Sequence, residues 1–276
     1  MTPTSFRIGG ELEVRRLGFG AMRLPTEPAA RPTSSAVVQR AVELGVTLID
    51  TAHMYGWGAN EELLAAALYP YPADLLVATK VGIVGTSMAD AASDARPEAL
   101  RGQVEQALRR LRVERLDLLQ LHRIDAAVPL AEQLGALGQL QAEGLVGHIG
   151  LSEVTVDQLA QARQVVTIAS VQNRYNVLDR EHEAVLDACE AAAIAFLPWR
   201  PVAHALAEAP PELAAVAAEL GATAAQVCLA WLLARSAVMC PIPGTATIAH
   251  LEENVAAADL QLDAGQLGRL DRLAPA

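Results

Sequence analysis

Eight short apolar segments, separated by longer amphipathic ones, constrain the fold of this chain more than any other feature. Each short segment is apolar on both faces, which is typical of parallel strands covered on either side by helices. The predicted strands are residues 17–21, 47–50, 75–80, 117–122, 148–152, 169–173, 194–199 and 238–243.

The intervening segments carry helical signals. Apolar residues recur at helical spacing from Leu100 to Leu111, and Pro97 stands where a first-turn proline is favoured. Two further amphipathic stretches, residues 37–42 and 131–143, lead into Gly45 and Gly144. Glycine just past the last periodic residue is typical of a helix C-terminus. Strand and helix therefore alternate along the chain.

Eight strand-helix units in 276 residues predict an α/β chain folded as a single (β/α)8 TIM barrel domain over residues 1–276. Residues 6–14 alternate around a Gly-Gly pair and predict an N-terminal β-hairpin, which we place at the barrel bottom. A doubly wound nucleotide-binding sheet is the competing architecture. Its G-x-G-x-x-G signature is broken in residues 18–23, where Arg23 replaces the third glycine.

Charge and composition exclude several classes of partner. A net charge of -11 argues against nucleic acid and anionic membranes, which call for clustered basic residues. No run approaches the ~18 apolar residues of a membrane span. The three cysteines form neither a disulfide framework nor a zinc pattern, and no histidine pair has a metal-site context. We expect a cytoplasmic protein without a metal, and the oligomeric state stays open.

Lys80 is the only lysine among the 21 basic residues and closes the predicted strand 75–80. Barrel enzymes build their chemistry at the C-terminal ends of strands. Asp50 and His122 close two other predicted strands, and Tyr55 follows Asp50 by five residues. An acid, a phenol, an amine and an imidazole are therefore expected to converge.

These four groups suit proton transfer to a carbonyl oxygen. At ~4 Å and an effective dielectric constant of ~20, a lysine ammonium stabilises a phenolate by about 4 kcal/mol, or roughly three pKa units before desolvation. We therefore expect Lys80, kept charged by Asp50, to lower the pKa of Tyr55, while a neutral His122 orients the carbonyl. None of the four supplies a hydride, but a reduced nicotinamide does.

Four segments, residues 48–56, 78–82, 118–122 and 148–152, resemble the aldo-keto reductase superfamily, in its compact bacterial form, in order and spacing. The resemblance implies a (β/α)8 barrel and NAD(P)H-dependent reduction of an aldehyde or ketone to an alcohol. It also implies a catalytic tetrad, with Tyr55 as the general acid: Asp50, Tyr55, Lys80 and His122.

The resemblance further implies a cofactor site at the strand tips. Ser152 and Gln172 correspond to contacts of the nicotinamide amide, and Trp199 to an aromatic ring that stacks on the nicotinamide. Glu153 replaces the usual asparagine and cannot donate a hydrogen bond when ionised, so its role stays open. The implied contacts in this part of the chain are Met22, Arg23, Asp50, Ser152, Gln172, Trp199 and Arg200.

Residues 242–254 resemble the segment that holds the adenine and the 2'-phosphate. The family's usual lysine is Gly244 here, and its usual arginine is His250. We expect NADPH as the cofactor, with NADH or dual use as the alternatives. The implied contacts in this segment are Gly244, Thr245, His250, Glu253 and Asn254.

Loop residues after the strands predict a pocket for a small-molecule carbonyl substrate, formed by Trp57, Met88, Arg123 and His204. Arginines at the rim point to an acidic or phosphorylated substrate, and the segment around Trp199 is similar to a branch that includes pyridoxal-type reductases. Two other functions stay open. One is a Schiff-base lyase acting through Lys80, and the other is a slow-turnover nucleotide-sensing subunit.

Overall fold

A curled sheet of seven parallel strands organises the computed structural model, which describes residues 3–202 and 209–274. The strands are β1 (Ser5–Ile8), β2 (Leu12–Arg15), β3 (Phe19–Gly20), β4 (Leu48–Asp50), β5 (Leu76–Val81), β6 (Ile83–Val84), β7 (Ala92–Ser93), β8 (Leu116–Leu121), β9 (Val146–Ser152), β10 (Ile168–Gln172) and β11 (Ala195–Phe196). The seven lie in the order β11-β10-β9-β8-β5-β4-β3. Consecutive parallel strands are neighbours, as in a barrel.

Residues 238–243 close the gap between β11 and β3. On one side the segment exchanges two backbone hydrogen bonds with β11, of 2.7 and 2.9 Å. On the other, the N–H groups of Gly18 and Gly20 donate to the carbonyls of Pro241 and Pro243, at 2.9 and 3.1 Å. Because prolines have no N–H to return, the bonding toward β3 runs one way only. The predicted eighth strand is present as a closing segment rather than a full ladder, and the predicted barrel is confirmed.

Helices cover the outside of the barrel. They are α1 (Arg31–Glu43), α2 (Ala59–Leu68), α3 (Pro97–Leu111), α4 (Leu130–Ala142), α5 (Val156–Ala162), α6 (Glu183–Ala191), α7 (Pro211–Leu220), α8 (Ala224–Arg235), α9 (Ile248–Ala256) and α10 (Ala264–Asp271). The helix predicted after Pro97 is α3, and its stripe of Leu100, Val104 and Leu111 is fully buried. Its opposite face stays polar, so the helical periodicity marks the side that packs on the sheet.

The N-terminal hairpin plugs the bottom of the barrel. β1 and β2 pair in register around Gly9 and Gly10, whose φ angles of 63° and 80° are in the left-handed region that glycine adopts at little cost. Ile8 and Val14 are buried in one cluster with side chains of three neighbouring barrel strands, Leu48, Leu76 and Leu118. The predicted placement of the hairpin is therefore confirmed.

One further element was not anticipated from the sequence. β6 and β7 form a two-stranded antiparallel ribbon in the loop that follows β5. Within the described ranges, no single helix is long and apolar enough to span a bilayer; α7 and α8 reach that length and composition only as a pair bent by 91°.

Arg16 ties the two ends of the barrel wall together. Its buried guanidinium donates to the carbonyl oxygens of Met239 (3.0 Å), Pro3 (2.9 Å) and Leu233 (2.8 Å), and also to that of Ser236. Four carbonyls from three separate segments thus share one donor group. Burial lowers the pKa of Arg16, but arginine remains charged at any working pH.

Replacing Arg16 with methionine keeps an apolar stem and removes every donor. We expect Arg16→Met to lower the free energy of unfolding by about 3 kcal/mol, because buried carbonyls lose their partners. Urea unfolding followed by circular dichroism measures this. Arg115→Met is the matched control, since its bond to Asp117 is exposed, and we expect a change within about 0.5 kcal/mol. Equal losses in both variants would contradict the assignment.

Candidate active site

A buried ion pair lies at the tips of β4 and β5. Lys80 Nζ contacts both carboxylate oxygens of Asp50 at 2.7 Å and the carbonyl of Thr51 at 2.9 Å. The two side chains are 0% and 3% exposed. Burial alone lowers the pKa of Lys80, but the charge of Asp50 and the hydrogen bonds to Asp50 and Tyr55 outweigh it and raise that pKa. Lys80 is therefore a fixed ammonium.

Tyr55 is brought over this pair by a tight turn. It begins the 3-10 segment Tyr55–Gly58, in which Gly56 and Trp57 have φ angles of 63° and 55°. Its hydroxyl accepts a hydrogen bond from Lys80 Nζ at 3.2 Å. Burial raises the pKa of Tyr55 and outweighs the lowering by Lys80. The expected net lowering of this pKa is thus absent, because desolvation of the phenolate dominates, and Tyr55 stays protonated.

His122 follows β8, whose neighbour in the sheet is β5. Its backbone N–H donates to Val81 O at 2.8 Å, and its ring meets that of Tyr55 edge-on at 6.2 Å between centroids. Burial, followed by the positive charges of Lys80 and Arg123, lowers the pKa of His122 to about 2. The imidazole is neutral, and the structure brings all four side chains of the tetrad together.

A chain of amides inside the barrel supports Asp50 from below. Gln172 Nε2 donates to Asp50 Oδ1 at 2.8 Å and to Gln120 Oε1 at 3.1 Å, while Gln120 Nε2 donates to Ser170 Oγ at 3.0 Å. Among the described residues, none donates a hydrogen bond to the side-chain oxygen Oε1 of Gln172. Sequence reasoning missed Gln120, although it is the only polar side chain in the run 118–121 and is fully buried.

Arg123 places a positive charge at the mouth of the site. Its Nη1 donates to the carbonyl of His122 at 2.6 Å and to Ser152 Oγ at 3.1 Å. Among residues 3–202 and 209–274, no carboxylate pairs with this half-buried guanidinium.

Trp199 and Glu153 are joined across the strand tips. The indole Nε1 donates to Glu153 Oε1, which also accepts from the backbone N–H of Arg174 at 2.9 Å. The guanidinium of Arg200 lies over the indole, 5.2 Å from its centre. Glu153, whose role the sequence left open, thus accepts hydrogen bonds from this indole and from the main chain of Arg174.

Comparison with known families decides what kind of site this is. The profile described as Aldo/keto reductase family matches residues 16–275. The chain belongs to the aldo/keto reductase family. The resemblance found in the sequence is confirmed.

Three known proteins show how close the likeness is. An uncharacterized oxidoreductase of Schizosaccharomyces pombe is 44% identical over 268 residues, which cover 95% of this chain and 87% of that protein. The pyridoxine 4-dehydrogenase of Escherichia coli is 38% identical over 282 residues, 98% of each chain. An aldo-keto reductase from Klebsiella pneumoniae, solved in complex with NADPH, has a TM-score of 0.86 at 28% identity and covers 100% and 97% of the two chains.

This aldo/keto reductase differs from its relatives' usual pattern in the segment after residue 242. A Cβ atom at Gly244 would lie 2.7 Å from the carbonyl oxygen of Gly20, so the close approach of the two backbones prevents a lysine there. His250 is exposed in the first turn of α9, where its N–H donates to the capping hydroxyl of Thr247 at 3.4 Å. Glu253 accepts a hydrogen bond from the hydroxyl of Thr223.

The remaining predicted residues are dispersed around the mouth. Met22 and Arg23 follow β3, and Met22 is 57% exposed. Trp57 lies against the loop at Gly85, and Met88 is 71% exposed between β6 and β7. Thr245 is buried just before α9 and Asn254 is buried within it, and His204 lies outside the described residues. Within those residues, no group of three or more His, Cys, Asp or Glu is placed to hold a metal ion.

The neutral state of buried His122 makes the stability of this reductase depend on pH. Its pKa is about 2 in the folded protein and about 6.5 in the unfolded chain, so the unfolded state takes up the proton first. The contribution is fully present above pH 6.5 and is lost as the pH falls. The free energy of unfolding therefore falls by about 2 kcal/mol between pH 7 and pH 5.

We expect His122→Asn to remove this part of the pH dependence, because asparagine does not titrate. Urea unfolding at pH 7 and pH 5 should show a loss about 2 kcal/mol smaller than in the wild type. Leu119→Val is the control: it lowers stability by creating a cavity on the same strand but should keep the wild-type dependence on pH. An unchanged difference in His122→Asn would rule out a buried neutral imidazole.

Proposed function

We propose that this protein reduces an aldehyde or ketone to an alcohol with NADPH. In the balanced reaction, the carbonyl compound, NADPH and one proton give the alcohol and NADP⁺. The observation that carries the proposal is the hydroxyl of Tyr55, held 3.2 Å from Lys80 Nζ on a buried ion pair and beside a neutral His122. This set provides a proton donor, its electrostatic support and a hydrogen-bond donor for the same oxygen.

Each residue has a distinct part in the proton transfer. Tyr55 gives its hydroxyl proton to the substrate oxygen as the carbonyl carbon is reduced. Lys80 stabilises the phenolate left on Tyr55, and Asp50 keeps Lys80 charged. His122, neutral at working pH, donates an N–H to the carbonyl oxygen and orients it. A bound reduced nicotinamide supplies the hydride.

The residues at the strand tips fit a nicotinamide amide. Ser152 and Gln172 are buried polar side chains at the ends of neighbouring strands, and we assign the side-chain oxygen Oε1 of Gln172, which accepts no hydrogen bond from the described residues, to the NH₂ of the amide. We assign to Trp199 the aromatic ring that packs against the nicotinamide. Asp50 and Arg200 line the same cofactor site.

The adenosine end of the cofactor is assigned to the α9 region. Anions bind at helix N-termini, and the first turn of α9 presents exposed His250 beside the cap at Thr247. Arg23 is the permanent charge we assign to the pyrophosphate. The bound NADPH of the Klebsiella pneumoniae structure supports this choice of cofactor. We assign Met22, Gly244, Thr245, Glu253 and Asn254 to the same half of the site.

A Schiff-base lyase is not supported by the state of Lys80. Its Nζ is fully buried, donates to three neighbouring residues and has a raised pKa. A lysine nucleophile must lose its proton and reach the substrate, and this one does neither. Nothing specific favours a nucleotide-sensing subunit.

We propose a small aldehyde as the substrate, bound between Trp57 and Arg123. The Escherichia coli relative is named for dehydrogenation of pyridoxine, so pyridoxal, the corresponding aldehyde, is the first compound to test. Pyridoxal 5'-phosphate belongs beside it, because Arg123 has no carboxylate partner among the described residues. The two differ only in the phosphate, so their kcat/KM ratio measures the contribution of that charge.

We expect Tyr55→Phe to lower kcat for aldehyde reduction by roughly a thousandfold, because phenylalanine has no proton to give. Loss of absorbance of the reduced nicotinamide measures the rate. Tyr71→Phe is the matched control, since the Tyr71 hydroxyl donates to Leu111 O away from the tetrad, and it should turn over normally. A Tyr55→Phe variant with full turnover would refute the mechanism.

We expect His250→Arg to tighten NADPH binding about fivefold and to leave NADH binding unchanged, because a permanent charge then faces the 2'-phosphate. Isothermal titration calorimetry with both nucleotides measures this. Gly244→Lys should bring no such gain and should lower stability, because its Cβ meets Gly20 O. Equal tightening of both nucleotides by His250→Arg would place the phosphate elsewhere.

A further inference from the structure

Glu153 occupies an unusual backbone position directly after β9. Its φ of 56° is left-handed, a region that most non-glycine residues avoid. The conformation is fixed locally, since its N–H donates to Gln172 O at 3.0 Å. The side chain is therefore aimed by a rigid main chain, and as a carboxylate it only accepts hydrogen bonds.

That carboxylate accepts a hydrogen bond from the indole of Trp199, 46 residues away in sequence. Glu153 Oε1 accepts from Trp199 Nε1 and from the backbone N–H of Arg174 at 2.9 Å, while Oε2 lies 4.0 Å from His182 Nε2. Its side chain is 23% exposed. Charge-assisted bonds of this kind are about twice as strong as neutral ones.

Within residues 3–202 and 209–274, Glu153 is the one residue that accepts a hydrogen bond from the indole N–H. The backbone N–H of Trp199 donates to Asn173 O at 3.2 Å, which fixes the main chain but not the ring. Arg200 covers part of the ring face at 5.2 Å from its centre. An indole has a single donor, Nε1–H, so the bond to Glu153 selects one orientation of the ring plane.

We propose that Glu153 is a positioning residue that fixes the indole plane of Trp199 against which the nicotinamide ring packs. The proposal rests on the proposed function, because it assigns Trp199 to the cofactor. Glu153 thus acts on the cofactor site through the indole, whose orientation it fixes. Pre-ordering a side chain spares the entropy of ordering it on binding.

A double-mutant cycle tests this inference by calorimetric titration of NADPH without substrate. We expect Glu153→Met to weaken binding about tenfold and Glu153→Gln to restore most of it, because glutamine still accepts from the indole. Trp199→Phe keeps an aromatic face but has no N–H. Adding Glu153→Met to Trp199→Phe should therefore cause no further loss.

A second readout needs no cofactor. The indole N–H signals of the protein in ¹H–¹⁵N spectra include that of Trp199, which Trp199→Phe identifies by its disappearance. Glu153→Met should change the chemical shift of this signal, because the indole N–H loses its hydrogen bond to the carboxylate. Glu181→Gln is the matched control, because Glu181 pairs with Arg174 at 3.1 Å and is not on the indole; it should leave both the signal and NADPH binding unchanged.

Three results would overturn the inference. They are an equal tenfold loss whether Glu153→Met is made in the wild type or in the Trp199→Phe variant, an unchanged affinity in Glu153→Met, and an indole signal that does not move. Failure of the proposed function looks different, because the wild type itself then binds neither NADPH nor NADH, and the inference falls with it. Thermal unfolding of each variant shows that the compared proteins are folded.

Discussion

The buried pair between Lys80 and Asp50 is the interaction on which the rest of the site depends. Removing two charges from water costs several kcal/mol per ion, and this is offset only by close contacts. Lys80 makes them with both carboxylate oxygens, with the carbonyl of Thr51 and with Tyr55. A compact ammonium fits this space, whereas a planar guanidinium is wider. The charge that sustains the proton donor is therefore permanent.

The barrel makes this arrangement possible by bringing three strands side by side. β4, β5 and β8 are adjacent in the sheet: Asp50 is the last residue of β4, Lys80 is next to the last residue of β5, and His122 directly follows β8. Three features fix the positions of these strand ends. They are the proline-containing segment 238–243 that closes the barrel, the hairpin at its bottom and the hydrogen bonds of Arg16. Asp50 and Lys80 lie on the strands themselves, whereas Tyr55 and His122 lie just beyond them.

Two residues differ from those that the family resemblance implies, and the structure shows what each of them contacts. At Gly244, where the resemblance implied a lysine, a Cβ atom would lie 2.7 Å from the carbonyl oxygen of Gly20. At Glu153 the resemblance implied an asparagine. The carboxylate accepts a hydrogen bond from the indole of Trp199 and, unlike an asparagine amide, has no hydrogen bond to donate to a cofactor. Both positions lie outside the tetrad.

The sequence by itself determined the eight-unit barrel, the plugging hairpin and the grouping of Asp50, Tyr55, Lys80 and His122, because strand periodicity and strand ends are local properties of the chain. Only the tertiary structure decided the protonation of Tyr55, since desolvation depends on everything packed around the hydroxyl. It likewise decided the partners of Gln120, Glu153 and Arg16, which join residues 46 to 223 positions apart. Contacts across such distances leave no periodic trace in the sequence, because barrel closure and loop geometry bring them together.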